Sequence, residues 1–129
     1  MLSLKGLHHI AIICSDYSVS KKFYTEVLGF TIIREVYRKE RDSYKLDLAL
    51  NGLYQIELFS FPTVPERLSR PEAAGLRHIA FKVANLDEAI LILKKNKVKV
   101  EAPRVDEFTD KKFTFLFDPD NLPIELYEG

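Results

Sequence analysis

The sequence contains a single cysteine, Cys14, so no disulfide can form within the chain and the fold cannot depend on oxidation. Set in an apolar run, Cys14 reads as a small buried hydrophobe rather than a reactive thiol. An excess of either charge is also missing. Nineteen basic and nineteen acidic residues cancel, which leaves no basic stripe for nucleic acid and no lopsided field for a membrane surface. No apolar run is long enough to span a bilayer. The opening residues 1–6 have no hydrophobic signal core, so the expected location is cytoplasmic. What is present is an ordinary globular composition, 47% hydrophobic and 29% charged over 129 residues. That length suits one compact domain with a core of its own.

The chain reads as one pattern written twice. Leu7–His8–His9–Ile10–Ala11 matches Leu76–Arg77–His78–Ile79–Ala80 at all but one position, and Ile56–Glu57–Leu58 matches Ile124–Glu125–Leu126 throughout. Residues 7–14 form an apolar, β-branched run, expected as a strand buried on both faces. Asp16 is placed to N-cap a helix reaching about Leu28, with Val19, Phe23 and Val27 at helical spacing and Gly29 at the C′ position. Residues 30–37 and 44–50 read as strands, and Asn51–Gly52 as a type I′ turn into a strand over 53–61.

The second half repeats the order. Residues 76–83 read as a strand, Asn85 with Glu88 as a capping box, and 86–96 as a helix with Ala89, Ile90 and Leu93 on its apolar face. Strands follow over 98–102, 113–117 and 123–127. The expectation is an α+β fold of two repeated βαβββ modules whose curved mixed sheet surrounds a metal-binding cavity. Residues 1–129 form one domain: module one about 5–61, a proline-bearing linker about 62–75, and module two about 76–128.

A lone histidine or glutamate in an apolar strand is usually structural. Repetition changes that weight. His9 and His78 hold one register and Glu57 and Glu125 another. His8 is the weaker candidate because its counterpart is Arg77. If the first and last strands of each module adjoin, two imidazoles and two carboxylates can face one concavity. Two carboxylates gathered there are costly without a compensating charge. One divalent ion per site supplies it, and this donor set suits Ni²⁺, Co²⁺, Zn²⁺ or Mn²⁺.

These motifs resemble the vicinal oxygen chelate superfamily, the glyoxalase/bleomycin-resistance fold. The resemblance spans about residues 5–128 and is greatest to small bacterial glyoxalase-I-like proteins. It rests on the opening of each module, on Phe23–Tyr24–Thr25–Glu26–Val27–Leu28–Gly29, and on the closing residues 117–126. It implies that His9, Glu57, His78 and Glu125 are the metal ligands, with Glu125 the first choice as catalytic base and Glu57 the second. The implied reaction isomerises a 2-oxoaldehyde–thiol hemithioacetal to a 2-hydroxyacyl thioester through an enediolate, the chemistry of a lactoylglutathione lyase. The partner is then a small-molecule substrate, such as a thiol adduct.

The resemblance also implies a homodimer with sites at the subunit interface, combining His9 and Glu57 of one chain with His78 and Glu125 of the other; pairing within one chain is the alternative. Methylmalonyl-CoA-epimerase-like chemistry and metal-free binding of the bleomycin-resistance type are the other readings. Extradiol dioxygenases and fosfomycin-modifying members use three protein ligands, which a fourth at Glu57 disfavours. Arg34, Arg38, Arg41, Arg67, Arg70 and Lys112 are candidate contacts for substrate carboxylates, although solvated surface charge is the expectation for each alone. Tyr37, Tyr44, Phe59, Phe113, Phe115 and Phe117 are candidate pocket walls, with most expected in the core.

Overall fold

The computed structural model describes residues 1–129 in full. It divides into two units, Met1–Pro65 and Glu66–Gly129, each with its own sheet. The first unit runs β1 (Ile10–Cys14), α1 (Tyr17–Lys22), β2 (Thr31–Arg38), β3 (Ser43–Leu50) and β4 (Leu53–Ser60). Its strand order is β1-β4-β3-β2, with β1 and β4 parallel and the other pairs antiparallel. The second unit runs β5 (Ile79–Val83), α2 (Leu86–Lys95), β6 (Arg104–Val105), β7 (Lys112–Phe117) and β8 (Pro123–Glu128). Its order, β5-β8-β7-β6, repeats the same topology. The fold is therefore mixed α+β, built from twin βαβββ units whose first and last strands adjoin. No helix is long and apolar enough to cross a membrane.

Local chemistry sets the elements. The Asp16 carboxylate accepts the Val19 N–H at 3.3 Å and caps α1. After Lys22 the helix widens into a π turn over Phe23–Val27, where the Leu28 N–H donates to the Phe23 carbonyl. Gly29 follows at φ 83°. The buried face of this segment is Ser20, Phe23 and Tyr24, whereas Val19 is half exposed, so the expected Val19–Phe23–Val27 stripe is displaced. The Asn85 side chain accepts the Glu88 N–H at 3.0 Å, and Leu86, Ile90 and Leu93 bury one face of α2. Asn51 and Gly52 both have positive φ, as a type I′ turn requires.

Each core lies on the helix side of its sheet. In the first unit it is formed by Leu46, Leu48, Ile56 and Leu58, and in the second by Leu116, Ile124, Leu126 and Thr114. Three expectations are corrected here. β1 begins at Ile10 and β5 at Ile79, so His9 and His78 sit just before their strands. β1 alternates, with Ile12 and Cys14 buried but Ile13 half exposed, because only its helix-side face is covered. The strand expected over 98–102 reduces to one bridge, Val100 to Leu116, and the ladder resumes at Arg104 opposite Phe113. Pro103 lies between the two points and has no N–H to donate, so the register slips there.

Candidate metal centre

Strand pairing aligns the donors. In the parallel β1–β4 ladder Ala11 stands beside Glu57, and in the antiparallel β3–β4 ladder Asp47 flanks Glu57 on its other side. Residues paired in this way share a face, so Ala11, Glu57 and Asp47 project together, opposite the core. His9 lies two residues before Ala11 and reaches the same face. Its Nε2 is 3.5 Å from Glu57 Oε1. The second unit repeats the arrangement. Ala80, Glu125 and Phe115 stand in one row, and His78 Nε2 is 3.3 Å from Glu125 Oε2. The carboxylate side chains are 14% and 16% exposed, so both are substantially desolvated.

The surroundings of the two pairs differ. His9 is fixed on three sides. Its ring stacks on Tyr54 with centroids 5.1 Å apart and planes within 5°. Its Nδ1 lies 2.8 Å from His8 Nδ1, so Nε2 is the nitrogen turned toward Glu57. His8 also meets Tyr54 edge-on, which makes the rejected histidine a support for its neighbour. Glu57 Oε2 is held by Lys45 Nζ at 3.3 Å and by the Tyr54 hydroxyl at 3.3 Å. The same lysine and tyrosine contact buried Asp47 at 2.7 and 3.0 Å. The hydrogen bond to Asp47 raises the Lys45 pKa above its ordinary value, and burial followed by the Asp47 bond raises that of Tyr54. In the second unit Phe115 occupies the Asp47 position and meets His78 edge-to-face at 5.1 Å. His78 Nδ1 is buried with no hydrogen-bond partner.

Neither unit alone gathers three His, Cys, Asp or Glu side chains into a cation cage. Each presents a pair. The geometry of each pair fits one edge of a coordination sphere, because two ligands at right angles with bonds of about 2.1 Å stand about 3 Å apart. The four donors therefore fit a first-row divalent ion chemically, with Oε1 of Glu57 the oxygen left available.

The remaining sequence candidates divide. Arg34 and Arg41 are exposed, and Lys112 pairs with Asp87 at 3.3 Å. Arg67 and Arg70 line a groove of about 650 Å³ with Ser69, Glu72, Phe117 and Asn121. Arg38 lies over the Phe59 ring. Tyr37 and Tyr44 are partly exposed, and Phe59, Phe113 and Phe115 only half-buried. Phe113, Phe115 and Phe117 alternate with the buried Thr114 and Leu116, so they face away from the core, on the side of Glu125. That corrects the expectation that most of these aromatics are core. Lys45, Asp47, Tyr54 and Arg104 escaped the sequence reading. The signal for Asp47 was available: a charged residue between Leu46 and Leu48 must face the side opposite the leucines.

Twin βαβββ units, each carrying a His–Glu pair on the sheet face opposite its core, define a duplicated protein with a repeated donor pair. The chain belongs to the glyoxalase/bleomycin resistance protein/dioxygenase superfamily, whose profile matches residues 6–126. It is 63% identical over 128 residues to the uncharacterized protein YaeR of Escherichia coli (strain K12), covering 99% of both chains. It is 30% identical over 129 residues to the metallothiol transferase FosB of Staphylococcus epidermidis, covering 98% of this chain and 85% of the relative. Among solved structures, it is similar to a glyoxalase family protein from Enterococcus faecalis at 50% identity and a TM-score of 0.89, covering 96% of this chain and 98% of that one. It is also similar to the trypanothione-dependent glyoxalase I of Leishmania major at 26% identity and a TM-score of 0.74, covering 97% and 87%.

Proposed function

We propose that the chain is a metal-dependent enzyme of the glyoxalase I type, which isomerises the hemithioacetal of a 2-oxoaldehyde and a thiol to a 2-hydroxyacyl thioester. The observation that carries this reading is the twinned pair: His9 with Glu57 and His78 with Glu125, each on the sheet face opposite its core in the same register. His9, Glu57, His78 and Glu125 would hold the ion, brought together either from two chains of a homodimer or within one chain. When bound, a divalent cation supplies Lewis acidity toward two vicinal oxygens.

The rest is proton movement. One carboxylate takes the proton from the carbon bearing sulfur and hydroxyl. The electron pair shifts toward the neighbouring carbonyl to give an enediolate. The hydroxyl proton of the first carbon passes to the neighbouring oxygen, and the same carboxylic acid returns its proton to the former carbonyl carbon, leaving a hydroxyl there and a thioester carbonyl beside it. Substrate and product are isomers, so no co-reactant is needed. Glu125 is the better base on geometry. Glu57 has its Oε2 tied by Lys45 and Tyr54, whereas within its unit Glu125 is paired only with His78. Tyr54, Lys45 and His8 hold His9 and Glu57 in the orientation a ligand needs.

The test begins with elemental analysis of purified protein. It continues with methylglyoxal plus glutathione or another low-molecular-weight thiol, with each of Ni²⁺, Co²⁺, Zn²⁺ and Mn²⁺ restored to stripped protein. Thioester formation is followed by ultraviolet absorbance. Glu125→Gln should lower kcat by at least about 100-fold, the lower end of what one positioned base contributes. Full turnover in that variant removes Glu125 from the reaction. Similarity to a relative named as a metallothiol transferase favours a second reading, in which the same donors support addition of a thiol to an electrophile. Metal-dependent consumption of thiol without thioester formation would select it.

A further inference from the structure

The duplication accounts for the His–Glu pairs but not for Arg38. In the register that equates Glu57 with Glu125, Phe59 corresponds to Tyr127. The Tyr127 hydroxyl at this corner donates to the Asp106 carboxylate at 3.0 Å and also meets the Thr109 hydroxyl. The first unit places a cation there instead. Arg38 closes β2 opposite Ser43, in the row that alternation assigns to the Glu57 face. Its guanidinium lies over Phe59 at 4.7 Å and near Phe61 at 5.8 Å. One Nη2 hydrogen bonds to the fully buried Ser43 hydroxyl at 2.7 Å. Its Nε is buried and has no acceptor. Arg77 and Arg104 both have carboxylates in reach, Glu72 at 3.0 Å and Glu101 at 3.4 Å; Arg38 has none.

A half-buried guanidinium with an unmet buried donor and no counter-charge is an unfavourable arrangement in isolation. Stacking on Phe59 and the bond to Ser43 fix its plane, so its remaining N–H groups point in a set direction before any ligand arrives. We infer that Arg38 anchors an anionic group of the substrate, a carboxylate or a phosphate. Both offer paired oxygens to a planar guanidinium. Phe59 is two residues beyond Glu57, so the anchored charge sits about 7 Å along the strand from the Glu57 row. The substrate class is therefore a small organic anion whose charge is separated from its reacting carbons by a few bonds. This rests on the reading above that substrate lies on the Glu57 face.

The test uses the whole protein and two probes, inorganic phosphate and acetate, against chloride at equal ionic strength. Arginine Nε–H signals are followed by NMR, and that of Arg38 is assigned by its contacts to the Phe59 ring. A saturable shift of the Arg38 signal is expected, larger than that of the exposed Arg34 and Arg41, and the tighter probe names the anion. A response no greater than with chloride overturns the inference, and this arm needs no turnover and no variant. In the kinetic arm Arg38→Met should raise KM by about 10- to 100-fold with kcat little changed, as removal of a charged hydrogen bond predicts. Loss of kcat at constant KM would show a merely structural role and overturn it. Anion binding without hemithioacetal turnover would retain Arg38 as the anchor and sink the glyoxalase reading instead.

Discussion

Replacing His9 and Glu57 together with alanine leaves a chain carrying only the second His–Glu pair, and replacing His78 and Glu125 leaves only the first. Each pair lies on a separate unit, so neither double substitution disturbs the other pair directly. Losing even an outer-sphere partner of a metal ligand costs about 10- to 100-fold in affinity, so losing two ligands should leave either parent essentially metal-free. The two parents then separate the shared site from the intrachain one. In a two-fold dimer whose sites take one pair from each chain, a mixed dimer has one site with all four donors and one with none. Random exchange makes about half of the dimers mixed, so the mixture should recover about a quarter of the wild-type metal and activity. If each site is built within one chain, no combination of the parents contains an intact set, and nothing is recovered.

The assay is subunit exchange between differently tagged parents, isolation of the doubly tagged species, and elemental analysis of it with folding checked by circular dichroism. A metal-free mixed dimer beside a metal-loaded wild type refutes the shared site. Retention of wild-type metal by either parent refutes the four-donor centre itself.

Two stability measurements probe the scaffold around the first pair. Lys45→Met leaves Asp47, whose side chain is 10% exposed, without its ammonium partner at 2.7 Å; the expected cost is about 2 kcal/mol, tempered by the partial exposure of Lys45, and a melting point lower by about 7 °C. A fall under about 2 °C would mean that water already solvates Asp47, and Asp47→Asn in the same chain should recover part of the loss. Glu35 accepts from Lys21 at 2.7 Å and from the Tyr17 hydroxyl, and these donors hold its pKa below the usual carboxylate value of 4.5. Its contribution is present above that value and is lost as pH falls through the lowered one. Glu35→Gln should thus cost about 0.5–1 kcal/mol in urea unfolding at neutral pH, the scale of a partly exposed ion pair, and converge with wild type in strong acid; a gap that persists or widens on acidification contradicts the assignment.

How much of this was legible beforehand follows from what each feature depends on. The two pairs were readable because duplication preserved both residue type and spacing, and strand adjacency then brought each His to its Glu. The helices were readable from Asp16 and Asn85, whose caps act within a few residues. What failed depends on events between strands. Val98 and Val100 have strand-forming side chains, yet Pro103 interrupts the ladder and β6 pairs only after it. The alternating Phe113, Phe115 and Phe117 told the period of β7 but not its face, because both of its faces carry apolar residues and Thr114 and Leu116, not the phenylalanines, are the buried ones.

The residues missed by sequence are those that make the twin halves unlike. The β3–β4 register shifts between Leu48 and Ala49, and the Tyr54 hydroxyl reaches both Asp47 and Glu57. No periodicity anticipates that reach, since regular alternation would send Tyr54 to the same side as Ile56. A duplicated pair by itself gives two equal carboxylates and no reason for one rather than the other to act as the base. Lys45 and Tyr54 break the equality by binding one oxygen of Glu57, while the corresponding row of the second unit carries Phe113 and Phe115, which have nothing to donate. Under the proposed function, a division of labour between Glu57 and Glu125 would follow from substitutions beside the repeated residues rather than from the repeat itself. Moving that asymmetry, with Lys45→Phe and Asp47→Phe in the first unit, should make the two carboxylates more nearly interchangeable, so that Glu125→Gln costs less in that background than in the natural chain.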